Sequence, residues 1–394
     1  MKNTELFLFI VLSLIAVNTS STILADQPVI SGISESSIKA GDTCYTGYSW
    51  MAEQFANIRM RADLNDRGVI HAAVNASASS NKDEKTTTNI EIERLYMSIY
   101  SEKSDISAGF MRIPFGYGQA FKPSDFINPR NPLYPEARLK GVLGANAQFY
   151  HIQDIKIQLF AADRSDSAQY IEENSIVAGG ASLDYHNPLF SVQTLYAIQQ
   201  PVEHSSNSPV HFAGLSLKFD AIAGFAIDTL YAHDGEDSGE PDGLKAAFGI
   251  DYSLLKGKLY LLMQYFYNGT SSLKSSDKLD KLYGSDEWYK LSPYDRIPAN
   301  GFHEYYRRHY LLLNGVYNLS DYTSISAIIV ANIEDYSFIP SIRTEHQPFQ
   351  GLTLGLTFRI PVDLYVINGG SKGELGPHHA GYKNQLLIDA SMRF

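Results

Sequence analysis

The chain has 394 residues, of which 44% are apolar and 19% charged, with 26 Tyr, 20 Phe, one Cys and a formal net charge of -11. Such a composition excludes a disordered chain and a disulfide-stapled scaffold. The acidic balance argues against general nucleic-acid binding, and lone Cys44 lacks the paired spacing of a zinc or redox motif.

At the amino terminus Lys2 precedes an apolar run from Leu6 to Val17 that only Ser13 interrupts, and Ala25 offers a cleavage point before Asp26. The run's 12 residues fall short of the roughly 20 that span a bilayer as a helix, so residues 1–25 are expected to be a secretory signal and 26–394 the working domain. No cysteine follows at lipoprotein spacing, so no lipid anchor is expected. Later apolar stretches, such as Leu259 to Tyr267 and Ile325 to Val330, are too short for membrane helices.

What recurs instead is period-two alternation. Ile58, Met60, Ala62 and Leu64 alternate with Arg59, Arg61 and Asp63, and Ile70, Ala72, Val74 and Ala76 with His71, Asn75 and Ser77. Ala246, Phe248, Ile250, Tyr252 and Leu254 alternate with Lys245, Gly249, Asp251 and Ser253, and Leu352, Leu354, Leu356, Phe358 and Ile360 with Thr353, Gly355, Thr357 and Arg359. On a pleated strand each ribbon puts one face in an apolar medium and the other in water. A dry core would not accept so many charges without pairing, whereas a water-filled lumen would.

Turn signals at Asn65 to Gly68, Ser101 to Ser104, His151 to Asp154, Asn187 to Pro188, Ile222 to Ala223, Lys256 to Gly257 and Asn318 to Asp321 alternate with longer polar links. Strands are therefore expected at 27–40, 54–64, 69–79, 88–100, 105–113, 139–150, 155–163, 176–186, 189–199, 209–220, 224–233, 244–255, 258–267, 309–318, 322–333, 337–345, 351–361 and 384–394. The expected fold is all-β, an antiparallel transmembrane barrel of eighteen strands with short periplasmic turns and long extracellular loops. Sixteen is the alternative count because the first pair is weak, and the faces of 88–100 and 105–113 are ambiguous. Tyr100, Tyr150, Tyr185, Phe190, Phe219, Phe225, Tyr252, Tyr260, Tyr317, Tyr322 and Phe394 fall near turn-side strand ends, where a membrane-boundary girdle is expected.

In the final segment Leu386, Ile388, Ala390, Met392 and Phe394 alternate with Gln385, Leu387, Asp389, Ser391 and Arg393, and the sequence stops at the phenylalanine. This resembles the carboxy-terminal strand of bacterial outer-membrane proteins, and the layout of residues 27–394 resembles the porin superfamily. The resemblance implies a barrel in the bacterial outer membrane, surrounded by its lipid. It also implies that the barrel-assembly machinery reads Met392 and Phe394, and it leaves a homotrimer open. A second stretch, Pro123-Ser-Asp-Phe-Ile-Asn-Pro129, is similar to a segment of porin-like barrels.

That stretch sits in the link 114–138, which Pro123, Pro129, Pro132 and Pro135 keep from regular pairing while Phe121, Phe126, Leu133 and Tyr134 give it something to pack. It either enters the lumen as a constriction, with Lys122, Asp125, Arg130, Glu136 and Arg138 as its charges, or stays outside as a packed cap. Pore-lining residues are expected at Arg59, Arg61, Asp63, His71, Asn75, Lys140, Gln158, Gln193, Lys245, Asp251, Arg359 and Asp389. Lys156, Lys218, Arg343 and Arg393 are expected to point inward with them, against Asp220 and Asp228, which makes the expected lumen slightly basic. Closure would set Arg59, Arg61, Arg359 and Arg393 along one wall, favouring anions unless they pair with lumen carboxylates.

No nucleophile elbow, phosphate loop or zinc-binding His pair occurs, and adjacent His378 and His379 diverge on an extended segment. The expectation is therefore a passive channel for small hydrophilic solutes, neither enzymatic nor dependent on a metal or cofactor. A plugged barrel whose loops 114–138, 269–308 and 362–383 act as an adhesin or platform is the competing expectation. A barrel-borne lipid hydrolase is a minor one.

Overall fold

The computed structural model describes residues 28–43, 47–81, 86–128, 141–152, 154–163, 176–201, 209–234, 243–269, 307–364, 374–377 and 382–394. The expected signal, Cys44, the second half of the link with Arg130, Glu136, Arg138 and Lys140, most of 269–308, and His378 and His379 lie outside the described residues. Among the described residues no helix is long and apolar enough to cross a membrane.

The strands are β1 (Val29–Thr43), β2 (Gly47–Asp63), β3 (Gly68–Asn81), β4 (Thr87–Tyr100), β5 (Ser104–Met111), β6 (Val142–Ile152), β7 (Ile155–Asp163), β8 (Ile176–His186) and β9 (Phe190–Pro201). They continue as β10 (Val210–Asp220), β11 (Gly224–Asp234), β12 (Gly243–Leu254), β13 (Leu259–Asn268), β14 (His309–Ser320), β15 (Thr323–Asn332), β16 (Ser337–Phe349), β17 (Leu352–Arg359), β18 (Val362–Asp363) and β19 (Tyr382–Arg393). Neighbours in the chain pair antiparallel, and β19 pairs with both β17 and β1, which closes the sheet. Two-residue β18 continues β17 beyond Ile360 and Pro361 along the same partner, β16, so the wall has eighteen staves, as the alternation predicts. Closure leaves no sheet edge, which is what a wall in lipid requires of its backbone donors and acceptors.

Burial is inverted relative to a water-soluble domain. On β2, Asn57 is 2% exposed while adjacent Ile58 is 54% exposed. The same contrast separates Gln158 at 2% from Leu159 at 47% on β7, so apolar side chains form the outer face and polar ones the inner.

Two departures from the predicted strands have local causes. β2 begins at Gly47 rather than near 54, because Ala52, Gln54 and Ala56 on its outer face are too small or too polar to register as a ribbon, yet the pairing with β1 runs unbroken from Thr43↔Gly47 to Val29↔Arg61. In β4 the partner of Ala73 is Arg94 but that of Val74 is Ile92, leaving Glu93 as the extra residue of a bulge. That bulge shifts the alternation by one, so the outer set runs Ile90, Ile92, then Leu95, Met97, Ile99. This resolves the ambiguous face and turns Glu91, Glu93 and Tyr100 inward.

Phe394 completes the seam. Its backbone N–H donates to the Gly32 carbonyl at 3.1 Å and its carbonyl accepts from the Gly32 N–H at 2.8 Å. A Cβ on Gly32 would lie 2.5 Å from Cζ of the Phe394 ring, so the ring occupies the place of the missing side chain.

Of the expected girdle, Tyr185, Phe190, Phe219, Phe225, Tyr252 and Tyr317 lie on the outer face near the tight turns, with Phe190 stacked on Phe219 at 6.1 Å. Tyr100, Tyr150 and Tyr260 are corrected to the inner face. The Tyr150 hydroxyl donates to Asp105 at 3.2 Å, and that of Tyr260 bonds Gln119 of the inward link.

Candidate pore and its inward segment

The described half of the proline-rich link, residues 112–128, lies against the inner face of the wall. Its own polar side chains fold it first. Asn128 Oδ1 accepts from the Ile113 N–H at 2.8 Å and Asp125 Oδ1 from the Phe115 N–H at 3.3 Å, which ties the two arms of the loop together. Asp125 is thus 4% exposed and serves as an internal pin, which corrects its expected place among the loop's pore-facing charges; Lys122 is half-buried.

Apolar contacts then seat the segment. Phe115 packs on Phe160 of β7 at 4.8 Å between ring centroids and Phe126 on Phe212 of β10 at 4.7 Å. Further along, Phe121 stacks on Phe266 of β13 at 4.8 Å. Aromatic pairs of this kind add about 0.5–1.5 kcal/mol each beyond their buried area.

Wall side chains accept the backbone donors that a strandless segment leaves unpaired. Gln193 of β9 accepts from the Gly116 N–H at 2.7 Å, and Gln264 of β13 accepts from the Ala120 and Phe121 N–H groups at 2.9 and 2.8 Å. The Gln264 amide donates in return to the Phe121 carbonyl at 2.8 Å. Asp228 of β11, wholly buried, accepts from Ser216 Oγ at 3.0 Å, the Ser124 N–H at 3.3 Å and the Gly118 N–H at 3.4 Å. Gly116 adopts φ +79°, and a Cβ there would collide with the Asp228 carboxylate, so the close approach requires glycine. Gln119 donates to Asp251 of β12, and the Tyr117 hydroxyl lies 3.5 Å from Asp184 of β8. Burial, with the Asp184 charge beside it, pushes the Tyr117 phenol up to about 12.

From Phe115 to Phe126 the contacts of the segment thus run from β7 to β13, while Arg112 at its start reaches back to Glu93 of β4. On the other side, β15–β19 and β1–β4 present a different inner surface. Asn57 donates to Asn75 at 2.6 Å and to Glu93 at 2.7 Å, and Arg94 and Arg112 both reach Glu93 at 3.1 Å. Beside this network, Arg59, Arg61, His71 and Arg94 line a recess of about 210 Å³ at the tight-turn end. Arg61 pairs with Asp63 at 2.9 Å, and His71 stacks on Tyr96 at 4.8 Å. Arg343 grips Asp389 through two bonds of 2.7 and 2.9 Å. Arg359 donates to Ser341 and Gln385 and is 6% exposed, and Lys245 of β12 is 4% exposed.

Two expectations about charge are corrected. Arg359 is level with Gln385, Gly41 and Ser49 through successive pairings, about ten residues along β2 from Arg59; at about 3.3 Å per residue it is roughly 30 Å away and outside any stripe, whereas Arg393 is level with Asn57, beside Arg59 and Arg61. Nor is the inner face basic among the described residues. Glu35, Glu53, Glu91, Glu93, Asp105, Asp184 and Glu345 share it; the early start of β2 adds Glu53, and the bulge turns the β4 acids inward. Cationic character is local to the recess.

Gln264, Asp184, Ser216 and Glu93 are site residues that the sequence does not single out; Asp228 is expected to point inward, but not to hold the segment. Each is one polar residue on an alternating strand, and only the partner across the lumen distinguishes it. Among the described residues no group of three His, Cys, Asp or Glu could hold a metal ion.

The fold is thus a closed eighteen-stranded antiparallel barrel, apolar outside and polar inside, with one link folded against its inner face. The chain is similar in structure to OpdQ of Pseudomonas aeruginosa (TM-score 0.58, 11% identity, 94% of this chain and 99% of that one). It is also similar to OccK5 (OpdH) of the same organism (0.56, 10%, 93% and 98%) and to its OccK2 (OpdF), solved in complex with glucuronate (0.57, 8%, 93% and 96%). No family model matches the chain, and no curated protein matches it in sequence.

Proposed function

We propose that the protein is a porin-like channel of the bacterial outer membrane, through which small hydrophilic solutes diffuse passively, and that it catalyses no reaction. The observation that carries this reading is the one-sided placement of the inward segment. Among the described residues Phe115 to Phe126 lie along β7–β13, with only Arg112 reaching β4, while the inner surface of β1–β4 leaves the Arg59 and Arg61 guanidinium groups exposed to the lumen. The recess of Arg59, Arg61, His71 and Arg94 gives anionic solutes a favourable station at the tight-turn end. The sugar acid held by OccK2 is a solute of that class, and it supports the reading by analogy of fold.

Residues 1–25 act in this proposal as a removed secretory signal, and Met392 and Phe394 as the segment the barrel-assembly machinery reads. A homotrimer is not proposed. Swelling of proteoliposomes in isosmotic neutral sugars and sugar acids tests the proposal. Swelling with both, faster for the acids and equalised by Arg59→Gln with Arg61→Gln and Arg94→Gln, is expected; vesicles that hold folded protein and do not swell would overturn it.

A further inference from the structure

Tyr310, on the inner face of β14, is where three links from the open end of the barrel meet. Its ring lies 6.4 Å from Phe121 of the inward segment and 6.0 Å from Phe266, centroid to centroid. Its hydroxyl accepts from the backbone N–H of Arg307, at the end of the 269–308 link, at 2.8 Å and donates to Oε2 of Glu374. Asn332 of β15 donates to the same carboxylate oxygen at 2.9 Å. The Glu374 N–H donates to Asp335 at 2.8 Å and the Leu375 N–H to Ser337 Oγ at 2.9 Å. Leu375 is 2% exposed and joins Phe121, Phe266, Tyr310 and Leu312 in one apolar cluster.

We propose that residues 374–377 form a second constriction element, which acts through Tyr310 to hold Phe121, and with it the inward segment, at its place on the wall. The inference rests on the channel reading and adds Glu374 and Tyr310 as positioning residues of the narrow section. A link that merely covered the rim would satisfy its backbone with water. Here two consecutive N–H groups are bonded, one to Asp335 in the β15–β16 connection and one to Ser337 of β16, a carboxylate is sunk beside a phenol, and the adjacent leucine joins the apolar cluster that holds Phe121. Both elements therefore share one apolar seat, and Tyr310 couples them, with its ring beside Phe121 and its hydroxyl on Glu374.

The experiment places a reporter thiol at Lys122→Cys, half-buried beside Phe121 in the inward segment, in a Cys44→Ser background, and measures its rate of modification by a charged methanethiosulfonate reagent. Folding is verified for each variant by heat-modifiable gel mobility. Tyr310→Phe keeps the ring and every charge but removes the hydroxyl, and Glu374→Ala removes its acceptor. Each is expected to raise the modification rate roughly five- to tenfold, the effect of one net hydrogen bond. Glu374→Gln keeps an acceptor oxygen and is expected to stay at the parent rate.

Single-channel recordings of Tyr310→Phe should show larger and noisier steps. Parent-like modification in both Tyr310→Phe and Glu374→Ala overturns the inference, as does a Glu374→Gln rate equal to that of Glu374→Ala. If Tyr310→Phe fails to fold, Glu374→Ala decides, since Glu374 stands outside the strands. Modification needs no ion flow, so a silent wild-type barrel sinks the channel reading while this readout still judges the strap.

Discussion

Replacing Asp228 with Ala is expected to free the inward segment while leaving the barrel standing. The carboxylate accepts three bonds of 3.0, 3.3 and 3.4 Å, two of them from backbone N–H groups of the segment. Two are long and the lumen supplies replacement water, so each counts at the low end, about 1 kcal/mol. The two that hold the segment sum to roughly 2 kcal/mol, which shifts the balance between docked and released segment by about thirtyfold, while the Ser216 bond stays within the wall. The strand ladder is untouched, so heat-modifiable mobility and the urea midpoint of the barrel should barely move. In planar bilayers Asp228→Ala should give larger, noisier unitary currents, and a protease site placed in the segment should be cut faster by a comparable factor. Asp228→Asn, which keeps one acceptor oxygen, should fall between. Wild-type currents together with wild-type cleavage in Asp228→Ala would refute the reasoning, because the segment would then be held by something other than this carboxylate.

Three further outcomes follow from the wall. Gly32→Val should weaken the seam, since its Cβ would displace the Phe394 ring from 2.5 Å away, and a lowered refolding yield and urea midpoint would show it. Glu93→Ala should destabilise the barrel by about 2–3 kcal/mol in urea titration, because it strips the acceptor from Asn57, Arg94 and Arg112 at a 5%-exposed position; an unchanged midpoint would count against the network. Replacing Arg59, Arg61 and Arg94 together by Gln should move the reversal potential in a salt gradient toward cation preference, whereas the same change at distant Arg359 should leave it close to the wild-type value.

Alternation along the strands made the wall legible. Leu352 to Ile360 and Leu386 to Phe394 carry their face assignment residue by residue, and the turn signals at Asn65, Asn187 and Lys256 stand where the tight turns are. Legibility failed where one extra residue changed phase. Nothing local marks Glu93 as a bulge, and without it the β4 acids could not be assigned inward, so the lumen read as basic. The upper half of β2 was hidden for a different reason, since Ala52, Gln54 and Ala56 present no contrast with their neighbours. The proline-rich link announced its stiffness but not its side of the wall. That choice depends on Phe160, Phe212 and Phe266 from three distant strands and on Asp228 and Gln264, residues whose role exists only once the sheet has closed.

The most direct test of the central claim is single-channel conductance of the refolded wild-type barrel in planar bilayers. Stable ohmic steps from protein shown to be folded are the predicted result. Folded barrels that insert yet carry no current would mean that the inward elements fill the lumen, and would contradict the channel account.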